Sequence, residues 1–140
     1  MPEVAGMKVK LAVAISVLVL AYAIPMSAHH SVESEYDVSK RVTIQGVVTK
    51  IEWTNPHARF WVDAKNDDGT VSNWEMELPP PNALKLRGVR MDFVKQGDPV
   101  TVDLWRAKNG SRLAHALDVT LRDGRVLNIP LILGMPANPK

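Results

Sequence analysis

Three of the chain's four histidines stand in two places where chemistry is available. His29 and His30 directly follow an apolar leader, and His57 ends the segment Trp53-Thr54-Asn55-Pro56-His57. Removal of the leader after Ala28 would make His29 the first residue. Its α-amine and its ring Nδ1 would then grip one metal ion in a single bite. An α-amine titrates near ~8, so a metal displaces its proton around neutral pH. His30 or His57 adds a further imidazole, and the resulting T-shaped nitrogen set suits Cu(II), which leads the divalent affinity order. Zinc is the second choice, with Glu33, Glu35 or Asp37 adding an oxygen ligand. The plain alternative is that His29 and His30 are solvated and that His57 bonds the turn backbone. His115 shares parity with Leu113, Leu117 and Val119, which predicts a core or half-buried ring with a backbone partner.

Aromatic residues supply a competing chemistry. Trp61 and Trp105 fall on the outward parity of their strands, and Trp53 and Asn55 flank the histidine corner. Indole faces stack on bases or sugars in small barrels. With Arg59, Asp63, Glu75 and Glu77 around them, they predict a small polar or oligosaccharide ligand, or a protein partner, and no metal. Enzyme signatures are absent from the sequence: it has no nucleophile elbow, phosphate loop or dinucleotide motif. Glu75 and Glu77 read as solvated acids on an exposed strand face. The expectation is a binding module rather than an enzyme.

The elements that must position these residues begin after the leader. Lys8 and Lys10 precede the apolar run Leu11–Ile24, which is too short for a span of ~20 residues but suits a signal peptide. Two cleavage points remain open. The one after Ala28 has Met26 where a small residue is usual, whereas Ala21-Tyr22-Ala23 is a better pattern further upstream. The domain plan is therefore a signal peptide over 1–28, an extended lead-in over 29–41, a β domain over 42–129 and a tail over 130–140. Such a leader implies a periplasmic or secreted protein that meets the membrane only in transit.

The whole chain carries 17 basic and 15 acidic residues. That near-balance lacks the basic excess of a polyanion binder, so no nucleic-acid partner is expected. Without a cysteine, disulfides, thiol catalysis and Cys-based zinc sites are excluded.

Alternation predicts strands over 42–53, 59–65, 71–78, 99–107, 112–121 and 126–129. Phe60, Val62 and Ala64 should face inward, as should Trp74, Met76 and Leu78, then Val100, Val102 and Leu104. In the first strand the inward parity changes near Gly46-Val47-Val48, as a bulge or sharp coil would require. Pro79-Pro80-Pro81 ends the third strand, and Asn82 is placed to cap a short helix over 83–87. Asp92–Lys95 reads as one further turn. Three strands, a helix and two or three more strands give an all-β domain with one short helix. The architecture predicted is an OB-fold-like barrel of five to six strands.

The motifs also carry a resemblance. His29-His30-Ser31, Glu35-Tyr36-Asp37, Trp53-Thr54-Asn55-Pro56-His57, Pro80-Pro81-Asn82-Ala83-Leu84, Gly97-Asp98 before Val100, and Arg106-Ala107-Lys108-Asn109-Gly110-Ser111 run through the chain. Together they resemble the bacterial domain-of-unknown-function family numbered 6152. Val32 stands where that pattern often has an aromatic, and Leu78 where a glycine often precedes the prolines. The resemblance implies a small exported protein and brings no activity with it.

Overall fold

Inward-facing apolar residues meet at the centre of a ring of strands. The computed structural model describes residues 32–129; residues 1–31 and 130–140 lie outside the described part, and with them the leader, His29, His30 and the tail. The elements run α1 (Val32–Glu35), β1 (Tyr36–Glu52), β2 (Arg59–Lys65), β3 (Val71–Glu77), α2 (Pro81–Leu86), β4 (Pro99–Ala107), β5 (Leu113–Leu121) and β6 (Val126–Asn128). Strand β1 pairs antiparallel with both β2 and β4, β2 with β3, and β4 with β5. A parallel pairing of β3 with β5 closes the ring. Five strands closed in this order, with a helix between the third and fourth, make an OB-fold barrel. Strand β6 is an extra edge beside β5.

The core follows the alternation. Phe60, Val62, Met76, Leu78, Val102, Leu104, Ala114 and Ala116 are fully enclosed, and Leu84 of α2 joins them. Each large apolar side chain buried in this way contributes roughly 1.5–3 kcal/mol. In β1 the inward face runs through Val42, Ile44 and Val48, and Ile51 and Trp53 resume it on the other parity. The change falls between Val48 and Lys50, slightly later than the alternation places it. Gly46 answers a different need. A Cβ there would lie 2.2 Å from the Asp63 carbonyl oxygen, so only glycine lets β2 cross this closely.

Three local expectations are corrected. The lead-in is not extended throughout: residues 32–35 form a helical turn, and Tyr36–Arg41 belong to β1 because Tyr36 pairs with Ala107 and is buried. Helix α2 starts at Pro81, two residues early, because proline already has the helical φ and has no N–H to lose. Pro80 takes the cap position and Asn82 makes no cap bond. The third correction concerns His115 and follows from a slip in β5. Pairing shifts between Asp103 and Leu104, where the partner moves from Asp118 to Ala116. Leu117 is thereby skipped, and the residues before it change face.

Candidate functional site

The corner from Trp53 to Ala58 turns through a cis bond between Asn55 and Pro56. Its far end is tied to β3, where Leu78 N–H donates to the Ala58 carbonyl at 2.9 Å. That tie sets His57 beside the end of β3. Its Nδ1 lies 3.0 Å from the Leu78 carbonyl oxygen. A carbonyl only accepts, so Nδ1 carries the hydrogen, and in the neutral ring Nε2 keeps its lone pair. The His57 side chain is 31% exposed, while that of neighbouring Glu77 is only 13% exposed. Glu77 Oε1 stands 3.8 Å from His57 Nδ1. Burial pushes the Glu77 carboxyl above the usual range; Glu35 adds to the rise, and His57 and Arg59 oppose it.

Glu77 lies at the centre of a row. Register places it opposite Arg59 on β2 and opposite His115 on β5, and His115 in turn opposite Trp105 on β4. Directly opposed residues share a face. Met76, Ala114 and Leu104 take the core face, so Arg59, Glu77, His115 and Trp105 stand on the outer wall. Tyr36 covers part of this row. Its ring lies 5.5 Å from that of His115, and the Trp105 ring stacks on His115 at 6.2 Å. His115 is consequently only 2% exposed although it is not in the core.

The pocket under Tyr36 is poor in hydrogen bonds. Among the described residues, neither ring nitrogen of His115 has a partner, and the Tyr36 hydroxyl makes no well-formed hydrogen bond, although the Glu77 carboxyl stands close enough to interact with it. Burial, helped by His57, lowers the His115 imidazole to about 4, so it is neutral near pH 7. Burial also raises the Tyr36 phenol far above its ordinary value, with Glu77 and Glu35 adding to the rise. The lead-in is held in place by Lys108, whose N–H donates to the Glu35 carbonyl at 2.9 Å and whose Nζ donates to that of Glu33 at 2.7 Å. No three His, Asp or Glu side chains among the described residues are arranged to hold a metal unaided.

The model of a family of unknown function, DUF6152, matches residues 15–116, which include all four histidines. The chain belongs to that family. No curated protein matches this DUF6152 chain. Among solved structures it is similar to two crystal forms of Rim1, the mitochondrial single-stranded DNA binding protein of S. cerevisiae. The first has 13% identity and a TM-score of 0.46, covering 59% of this chain and 93% of that one. The second has 14% identity and a TM-score of 0.39, covering 59% and 92%.

Of the residues singled out in this DUF6152 sequence, His57 lies at the β1–β2 corner as expected, and His29 and His30 lie outside the described residues. The tryptophans are used separately. Trp53 packs on Phe93 against the core, with its Nε1 buried and unpaired among the described residues. Trp61 lies under Lys50 Nζ, 4.4 Å from the ring centroid. Trp105 stacks on His115, and Asn55 is exposed at the tip of the corner. Glu77, expected as a solvated acid, is mostly covered, and His115 has no backbone partner among the described residues. Tyr36 escaped notice because a single buried aromatic in a polar stretch has no periodicity to announce it.

Proposed function

We propose that this chain is an exported, non-catalytic binding module, periplasmic or secreted, that holds one late divalent cation. Copper is the first choice and zinc the second. His57 supplies one imidazole, and His29 and His30 of the processed chain supply the other nitrogens. The observation that carries this reading is the bond from His57 Nδ1 to the Leu78 carbonyl. Metal-bound histidines almost always donate their other ring N–H to such an acceptor, which orients the ring and fixes the free lone pair. Glu77 adds nearby negative charge on the same side of the ring. In sequence, His30 stands two residues before Val32, where the described chain begins. The nearly balanced charge favours a small cation over a polyanion as ligand.

The test is intact mass of the exported protein followed by Cu(II) titration. The mature chain is expected to begin at His29 and to bind one Cu(II), with His29→Ala and His57→Ala each weakening binding by at least about tenfold. A chain that begins at Ile24, or variants that bind as tightly as the wild type, would overturn the proposal.

A further inference from the structure

We propose that the segment from Lys85 to Lys95 is a docking surface for a bilayer that carries anionic lipid. The segment ends α2, turns at Gly88 and runs irregularly towards β4. It is pinned to the barrel throughout: Leu84, Val89 and Val94 are buried in the core, and Phe93 packs against it. Val89 N–H donates to the Leu84 carbonyl and Gly88 N–H to that of Lys85, each at 3.0 Å. With Gly88 at a φ of 79°, these bonds close the helix as a Schellman end. The side chains that point outward are therefore held there by the fold.

Two kinds of residue stand outward. Leu86 is 81% exposed and Met91 is 61% exposed. Four other large apolar side chains are exposed among the described residues, and all are valines on strands. A helix that served only the barrel would carry a polar residue at position 86. Beside these two stand Lys85, Arg87, Arg90 and Lys95, all exposed, against a single acid, Asp92. The net +3 of this segment exceeds the +2 of the whole chain, so the remainder is weakly acidic. Arg90 is paired with Asp92 at 3.2 Å. Lys85, Arg87 and Lys95 have no ion pair among the described residues.

Charge and apolarity together choose the occupant. An anionic bilayer offers phosphates to the cations and, just beneath them, acyl chains to Leu86 and Met91. The guanidinium forks of Arg87 and Arg90 match phosphate oxygens in pairs. A soluble polyanion would satisfy the cations and leave both apolar side chains in water. Each cation near such a surface strengthens binding about fivefold, so attachment is reversible. No histidine takes part, so this surface stands apart from the metal reading. It gives the folded domain a membrane contact beyond the transit that the leader implies.

The test sediments the processed full chain with phosphatidylcholine vesicles, with and without about one-third phosphatidylglycerol. The wild type is expected to bind the anionic vesicles at least about tenfold more tightly than the neutral ones. In ~1 M NaCl, where the Debye length is ~3 Å, that preference should disappear. Arg87→Gln should weaken binding about fivefold. Leu86→Gln combined with Met91→Gln should weaken it by at least about tenfold. All three positions are exposed, so urea midpoints should stay at the wild-type value. Arg122→Gln removes the same charge from the exposed turn after β5 and should leave binding within about twofold. A chain that ignores both vesicles, or binds them equally, would overturn the proposal. An Arg122→Gln loss as large as that of Arg87→Gln would overturn it too, by showing attraction of the whole chain's charge. Binding that survives the Leu86 and Met91 substitutions would do the same, because no apolar side chain then enters the bilayer.

Discussion

Two polar clusters stand on the outer wall along β4 and β5, and they are completed to different degrees. In the first, Arg41 donates to Asp103 at 2.7 Å and also to Asp118. Thr43 donates to the other oxygen of Asp103, and Asn128 donates to the other oxygen of Asp118 at 2.6 Å. Each carboxylate oxygen has a donor, although water could serve these partly exposed groups. The second cluster, His115 under Tyr36, is far better shielded from solvent, yet three of its polar atoms make no well-formed hydrogen bond among the described residues. Stability alone would produce the reverse, because an unmade bond costs most where water is excluded. Rules of local consistency fail mainly at functional sites, and the unpaired cluster is the one beside His57.

The largest expected effect tests whether His115 is truly unpaired. Its pKa falls from the ordinary 6.5 to about 4 in the folded protein. Between those values the unfolded chain binds more protons, so stability falls as pH drops from 6.5 to 4. At 1.36 kcal/mol per unit the total is about 3 kcal/mol. Glu77 works in the opposite sense: its raised pKa makes the folded state lose stability as pH rises above the ordinary 4.5. Urea midpoints of the metal-free protein from pH 7 to pH 4 should show the His115 slope, and His115→Gln should abolish it. A loss of stability of the same size towards pH 4 that survives the substitution would mean that the ring is not the buried neutral group described.

Next in size is Tyr36→Phe, which deletes one buried hydroxyl that makes no well-formed hydrogen bond among the described residues and keeps the ring. It should stabilise the fold by about 1 kcal/mol, read from the same urea midpoints. A loss of similar size would show that the hydroxyl has a partner after all, and the contrast between the clusters would shrink.

Much of the barrel was legible because alternation and turn residues are local signals. Phe60, Val62, Met76 and Leu104 face inward as their parity predicts, and the helix falls between the third and fourth strands. His57 was legible as a corner residue for the same reason. His115 was not, because one skipped residue at Leu117 reverses the parity of all that precede it in β5. Glu77 reads as solvated on its own strand, and only the return of residues 32–36 over the wall covers it. Such burial comes from a segment distant in sequence, which no local pattern records.

The smallest expected effect belongs to the completed cluster and separates it most cleanly from the other. Asp103 and Asp118 oppose each other across β4 and β5, and Arg41 stands between their charges. Arg41→Gln removes the bridge and leaves two like charges face to face, which is unfavourable. The Arg41 side chain is 40% exposed, so solvent screens much of the pair, and the cost should be about 0.5 kcal/mol at low salt. In ~1 M NaCl the Debye length contracts to ~3 Å and that cost should largely vanish. The gain from Tyr36→Phe should not, because it arises from desolvation rather than charge. Urea midpoints of both variants at low and high salt therefore test the two clusters against one another. Equal salt sensitivity would mean that both are ordinary surface electrostatics and that the pocket under Tyr36 is less shielded than its burial implies.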